Sequence, residues 1–251
     1  MKKDKVTIYI SAFNAEKTIE QSIISILNQT YSFDEIIVID DNSSDKTCQI
    51  IKKFKEIRLI KNNSNKGLSF NRNLAIKNSS NDLVAAIDAD VVLSENWLEI
   101  ILEKFNHNEN IMCSGKMVEK YTNNIFNLWR AKYYSQNWGD DDIYDPPFLF
   151  GCNTIQNKKI WESIGGYDEN LFTNGEDIDF SNKIKDTNNY KLIYCSKALC
   201  EHLQEDNLDS LSKRVWRYHS FGYKIKKISF YRFIKLSIKQ LNFFESYPII
   251  Y

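Results

Sequence analysis

Through the first half of the chain, short apolar runs alternate with stretches whose apolar residues recur at helical spacing. Residues 6–10 predict a buried strand. Residues 16–27 predict a helix, with Ile19, Ile23, Ile26 and Leu27 on one face. Residues 35–39 (EIIVI) predict a second buried strand, and DNSSDKT then supplies turn formers and an N-cap for a helix over 47–54. A short strand follows at 58–60, and Gly67 opens a helix running to Ile76. Residues 83–87 predict another buried strand that ends at Asp88, and Trp97, Leu98, Ile101, Leu102 and Phe105 mark an amphipathic helix.

Strands alternating with helices through short loops imply an α/β fold, a mostly parallel sheet with helices on both faces. Such sheets bind ligands at the carboxyl ends of their strands. The polar residues at 11–14, 40–44 and 88–90 should therefore converge on one crevice. Beyond about residue 111 the pattern becomes mixed. Strands are expected at 112–118 and 148–156 and a helix at 125–137, with GDDDIYDPP as an exposed loop. The expected organisation is one domain over residues 1–225 and a basic, aromatic, helical tail over 226–251.

Composition narrows the function classes. Hydrophobic residues make up 43% of the 251, enough for a sizeable core. Lys+Arg and Asp+Glu both number 33, so no global charge points to nucleic acid. The one local asymmetry begins at Leu211, after which nine Lys/Arg face a single acid, Glu245. Two readings of that stretch stand: an interfacial helix against an anionic membrane, or a helix pair closing the domain with a solvated basic face. The five cysteines, Cys48, Cys113, Cys152, Cys195 and Cys200, form no CxxC pair, which fits a reducing cytoplasm rather than a disulfide framework or a structural zinc site. The apolar run at the start is too short for a signal-peptide core, and no stretch approaches the roughly 18 residues of a spanning helix.

Four constellations carry candidate chemistry. Asp88-Ala89-Asp90 ends an apolar strand, and residues i and i+2 of an extended segment point the same way. Two such carboxylates suit a hard cation, Mg2+ or Mn2+, bridging to phosphate. A DxD alone is weak, since Asp is common where a strand meets a turn. Asp40-Asp41-Asn42-Ser43 serves equally as an N-capping turn or as the acceptor for a nucleobase imide N–H. Gly175-Glu176-Asp177-Ile178-Asp179 opens a helix with acids that are either dipole partners or a general base. His202, one of three histidines, becomes a ligand only if the fold brings it to the metal.

Together these segments make a family resemblance. From about residue 6 to about 223 the chain resembles the family 2 glycosyltransferases of the GT-A fold. VTIYISAFNAEKTIEQSIISILNQTY is similar to that family's first strand, loop and helix, and EIIVIDDNSSDKT to its nucleotide-binding strand and turn. NKGLSFNRNLAI, IDAD and IGGYDENLFTNGEDIDFSNKI resemble its donor-contacting, metal-binding and acceptor-side segments. The resemblance implies that Ser11, Ala12 and Phe13 line the base and ribose pocket and that Asp41 accepts from a uracil-like or thymine-like base. It implies that Gly67, Arg72, Asp88 and Ala89 border the donor, that Asp90 with Asp88 and His202 binds Mn2+ or Mg2+, and that Gly165 and Gly166 shape the loop under the acceptor. It implies Asp177 as the base with Glu176 beside it. The activity it implies is inverting transfer of one sugar from a nucleotide-diphosphate sugar, UDP- or dTDP-linked, to a hydroxyl of a glycan or lipid-linked saccharide in cell-surface polysaccharide synthesis.

The chain departs from processive synthases of this superfamily, which carry QxxRW and membrane helices. The nearest segment here is KRVWRYH at 213–219, without the Gln, which favours transfer of a single residue. A non-catalytic sugar-nucleotide-binding protein would be expected to lose the DxD or the Glu-Asp pair, and both are present. A nucleotidyltransferase would carry a glycine-rich phosphate loop after the first strand, and SAFNAEKT has no glycine.

Overall fold

The computed structural model describes residues 4–105 and 109–221. The tail expected at 226–251 lies outside the described residues. The first half runs β1 (Val6–Ala12), α1 (Ile19–Leu27), β2 (Glu35–Asp40), α2 (Thr47–Ile51), β3 (Ile57–Lys61), α3 (Leu68–Asn78) and β4 (Leu83–Asp88). The second runs β5 (Val91–Leu93), α4 (Trp97–Phe105), β6 (Ile111–Glu119), α5 (Ile125–Tyr133), β7 (Ile143–Tyr144), β8 (Asn153–Asn157), α6 (Lys158–Ser163), α7 (Glu176–Asp186), β9 (Lys191–His202) and α8 (Leu208–Phe221).

One nine-stranded sheet takes the order β3-β2-β1-β4-β8-β6-β9-β5, with β7 on β9. It is mostly parallel. The ladders β1·β2, β1·β4, β2·β3 and β6·β9 run parallel, and β4·β8, β6·β8, β5·β9 and β7·β9 are antiparallel. The near-continuous apolar strands follow from burial on both faces. Successive side chains point to opposite sides. Ile8, Ile10, Val38 and Ile87 therefore pack with Ile19, Ile23 and Ile26 of α1. Tyr9, Ile37, Ile39 and Ala86 pack with Ala75 and Ile76 of α3 and Phe180 and Ile184 of α7.

β8 pairs antiparallel with both β4 and β6. Two reversals restore the direction, so β6 and β9 end on the same side as β1, β2 and β4. The register of β6 against β9 slips between Gly115 and Lys116, and beyond the slip Glu119 stands beside His202. Gly115 is required at the slip: a Cβ there would meet the Ala198 carbonyl oxygen at 2.2 Å. β5 returns antiparallel along β9, with Val91 opposite His202. This return carries Asp90 to the end of the same strand.

Three expectations need correction. α5 stops at Tyr133, not near 137, and the Trp138 indole instead donates to the Phe148 carbonyl at 2.8 Å. Residues 148–152 are buried except for the half-buried Phe150, and they are irregular, because Leu149 N–H bonds the Ser181 hydroxyl rather than a strand partner. The GDDD loop is only partly solvated. Asp140 is exposed, whereas Asp142 pairs with Lys104 at 2.5 Å and accepts from Ser196 N and Oγ at 2.9 and 3.0 Å.

Candidate active site

The strand ends meet at a cavity of about 550 Å3, within the range of small-ligand sites. Ser11, Ala12, Phe13, Asp41, Gly67, Arg72, Asp88, Asp90, Glu176, Asp177 and His202 all line it. Ala89 does not. Its side chain packs into the core, and its carbonyl accepts from the Ser22 hydroxyl at 3.0 Å.

At one end, Asp41 follows β2. Its Oδ1 accepts from Asn62 Nδ2 at 2.7 Å and Lys66 N at 2.8 Å, and its Oδ2 accepts from Gly67 N at 2.9 Å. A carboxylate has about four lone-pair positions, so one on Oδ2 remains. Ser11 Oγ and Asn65 Oδ1 are buried nearby in the cavity wall without a protein partner. Phe13 stands half exposed at the rim. Gly67 has φ +88°, and its Cβ would strike the Phe172 ring at 2.6 Å. Only glycine fits where the α3 N-terminus meets the loop that carries Phe172.

Arg72 of α3 crosses the cavity floor, nearly fully buried. Its guanidinium lies 3.2 Å from Glu176 Oε1, 3.5 Å from Asp88 Oδ1 and 5.4 Å from the centre of the Tyr167 ring. Gly151 makes room for it, since a Cβ there would sit 2.1 Å from Nη1. Glu176 and Asp177 open α7 behind Gly175, which takes the left-handed conformation at φ 82°. Asp177 Oδ1 accepts from Ile178 N at 2.8 Å, and Oδ2 has only a long contact from Gly151 N at 3.4 Å. Burial raises the Asp177 carboxyl above its ordinary range, and Arg72 offsets only part of this. Burial likewise pushes Glu176 up to about 7, with Arg72 pulling down and the charge of Asp177 adding to the rise. Glu176 Oε2 is buried without a partner.

At the other end, His202 Nε2 lies 3.3 Å from Asp90 Oδ2, and Nδ1 lies 2.9 Å from Glu119 Oε2. Burial alone would lower the His202 pKa, but Asp90 and Glu119 lift it to about 9. Burial alone would raise Asp90, yet His202 draws it below the usual range. Asp88 is raised, first by burial and then by Asp90. The donor set fits a divalent ion. Two ligands at right angles on an ion with bonds of about 2.1 Å stand about 3 Å apart, close to the Asp90–His202 separation. With Glu119 accepting from Nδ1, Nε2 would be the nitrogen that coordinates once it gives up its proton to a bound ion. Among the described residues no His, Cys, Asp and Glu side chains form a three-ligand cage. Mg2+-type sites draw the remaining ligands from phosphate and water.

α8 contributes Arg214, Arg217 and Tyr218 to the same wall. The two arginines therefore face the cavity rather than a purely solvated surface. Sequence patterns gave no sign of Glu119, which stands 83 residues from its histidine.

The arrangement is that of the GT-A class, and the comparisons agree. The model of "Glycosyl transferase family 2" matches residues 7–165. The chain belongs to this family. An uncharacterized glycosyltransferase of Haemophilus influenzae is 37% identical over 148 residues, 57% of this chain and 44% of its own. The poly-beta-1,6-N-acetyl-D-glucosamine synthase of Staphylococcus aureus is 27% identical over 241 residues, 92% of this chain and 57% of its own. The chain thus spans about half the length of the curated relatives it matches. Among solved structures, the mannosyltransferase PcManGT from Pyrobaculum calidifontis, in complex with GDP-Man and Mn2+, superposes with TM-score 0.68 at 17% identity, covering 98% of this chain and 67% of that one. S. aureus TarS (residues 1–349) superposes with TM-score 0.61 at 19% identity, covering 76% and 60%. At such identity these two support the fold alone.

Proposed function

We propose that this chain transfers a single sugar, with inversion, from a UDP- or dTDP-sugar to a hydroxyl of a glycan or lipid-linked saccharide used in cell-surface polysaccharide synthesis. One observation carries the reading: a single cavity joins the Asp41 pocket, the Asp90–His202 pair and the Asp177 carboxylate. The open position on Asp41 Oδ2 suits an imide with one N–H. Guanine presents two adjacent donors, and the two internal bonds on Oδ1 leave Asp41 no second acceptor position for them. Phe13 offers a ring face to the base.

Asp90, Asp88 and His202 are the residues that would hold Mn2+ or Mg2+, which when bound neutralises the diphosphate leaving group. Arg214 and Arg217 add positive charge to the same wall. Arg72 holds Glu176 and Asp88 in place across the floor, and Glu176 Oε2 offers an acceptor to a sugar hydroxyl. Asp177 Oδ2 takes the proton of the acceptor hydroxyl as that oxygen attacks the anomeric carbon from the face opposite the departing diphosphate. No acid needs to protonate the leaving group, unlike in glycoside hydrolysis.

No helix among the described residues is long and apolar enough to cross a membrane. The five cysteines are free thiols, which supports a reducing compartment such as the cytoplasm. Membrane contact through the basic tail is tested by liposome pelleting with and without residues beyond 228. The decisive assay incubates purified protein with Mn2+ or Mg2+ and a panel of UDP-, dTDP- and GDP-sugars, and measures nucleoside diphosphate release. Release from a UDP- or dTDP-sugar, lowered by two to four powers of ten in Asp177→Asn, is expected on the scale of a positioned base. Release from GDP-sugars alone would refute the base assignment.

A further inference from the structure

Arg130 lies in α5, away from the cavity lining, and is 1% exposed. Its guanidinium donates to three acceptors through Nη1 and Nη2, while Nε is buried without a partner. Nη2 donates to Glu119 Oε2 at 2.7 Å and to the Gln204 carbonyl at 2.7 Å, and Nη1 donates to Asp206 Oδ2 at 2.5 Å. Glu119 in turn contacts His202 Nδ1, and His202 Nε2 faces Asp90. Asp206 reaches Arg214 of α8, 3.7 Å away. The row Asp90–His202–Glu119–Arg130–Asp206–Arg214 thus crosses from the start of β5 to α8, and the side chains of all but its two ends are nearly covered.

We propose that Arg130 is a positioning residue for the metal site. Its planar fork fixes the Glu119 carboxylate, and through it the ring plane of His202. A Lys at this position would carry the charge but not the fork, and could not hold two carboxylates and a carbonyl at once. Outer partners of this kind set the orientation of a ligating histidine, and their loss costs about 10–100-fold in metal affinity. The local setting supports a built site over an accidental contact. Asn124 caps α5 by accepting from Phe126 N and Asn127 N, and Asn127 Oδ1 accepts from Asp206 N at 2.7 Å. These bonds hold the helix and the β9–α8 connection around the guanidinium without involving it.

This inference rests on the reading of Asp90 and His202 as metal ligands, and the test separates the two. Free Mn2+ is followed by electron paramagnetic resonance during titration of the full chain with UDP present, against a protein-free UDP control. His202→Ala should weaken binding strongly. Arg130→Lys and Glu119→Gln should each raise the Mn2+ dissociation constant about 10–100-fold, and the double variant should be no worse than about twofold beyond either, since both break one relay. If His202→Ala leaves binding unchanged, the metal reading fails and takes this inference with it. If His202→Ala weakens binding but Arg130→Lys does not, or if the two single losses multiply in the double variant, Arg130 has no positioning role. Should Arg130→Lys fail to fold, Glu119→Gln decides: unchanged Mn2+ affinity there removes the relay.

Discussion

Glu176 and Asp177 stand side by side at the start of α7, and what each can do follows from its surroundings. Glu176 faces Arg72 in a nearly dry setting, whereas Asp177 is pinned through Oδ1 and leaves Oδ2 toward the cavity. Both carboxyls are raised by burial, Glu176 to about 7. A group raised in the folded state keeps its proton to higher pH. A base must be unprotonated to act, so activity is present above that pKa and lost as pH falls through it. The acid limb of a kcat/KM profile should therefore lie well above the ordinary carboxylate range, toward neutrality, and report the pair rather than one residue. An acid limb at or below pH 4 in the profile would show that neither raised carboxyl governs the rate.

At the scale of elements, α3 serves both substrates in the proposed reaction. Its N-terminus meets the Asp41 carboxylate, and its outer face holds the acceptor-side loop. Asn73 Nδ2 donates to the Tyr167 carbonyl and to Glu169 Oε1, both at 2.9 Å, while Oδ1 accepts from Tyr167 N at 2.9 Å and Trp161 Nε1 at 2.8 Å. Asn73→Ala unmakes all four, leaving half-buried donors unpaired at about 1–3 kcal/mol. The acceptor KM should rise while the donor KM holds, and a matching rise in donor KM would place the loop on the donor side. Little of this lacing was legible in the sequence. Continuous apolar runs marked β1, β2 and β4, and helical spacing marked α1 and α4, because burial writes itself into local hydrophobicity. The strand-end acids could be anticipated because α/β sheets put ligands there. Contacts such as Asn73–Tyr167, Glu119–His202 and Arg130–Asp206 depend on how β8 joins the two halves. A buried polar pair leaves no periodic trace in either segment.

At the scale of the whole molecule, the cavity is a seam. The β1–β4 half supplies Asp41 and Asp88, and the β5–β9 half with α8 supplies Asp90, His202, Arg214 and Arg217. A nucleoside diphosphate with its metal would touch both, so it should stabilise the fold as a unit. A ligand at 100 times its dissociation constant adds about 2.7 kcal/mol. For a chain of this size each kcal/mol moves Tm by about 2–4 °C, so UDP with Mn2+ should raise Tm by roughly 5–10 °C. The shift should persist in Asp177→Asn, whose proposed role is on the acceptor. In Asp90→Ala it should fall to the value seen with UDP and a chelator, because no ion then ties the diphosphate to the second half and only Arg214 and Arg217 remain to meet it there. GDP with Mn2+ should shift Tm less than UDP, since Asp41 has a single acceptor position left. Equal shifts from GDP and UDP would break the base assignment, and a full shift in Asp90→Ala would show that the ion does not join the two halves.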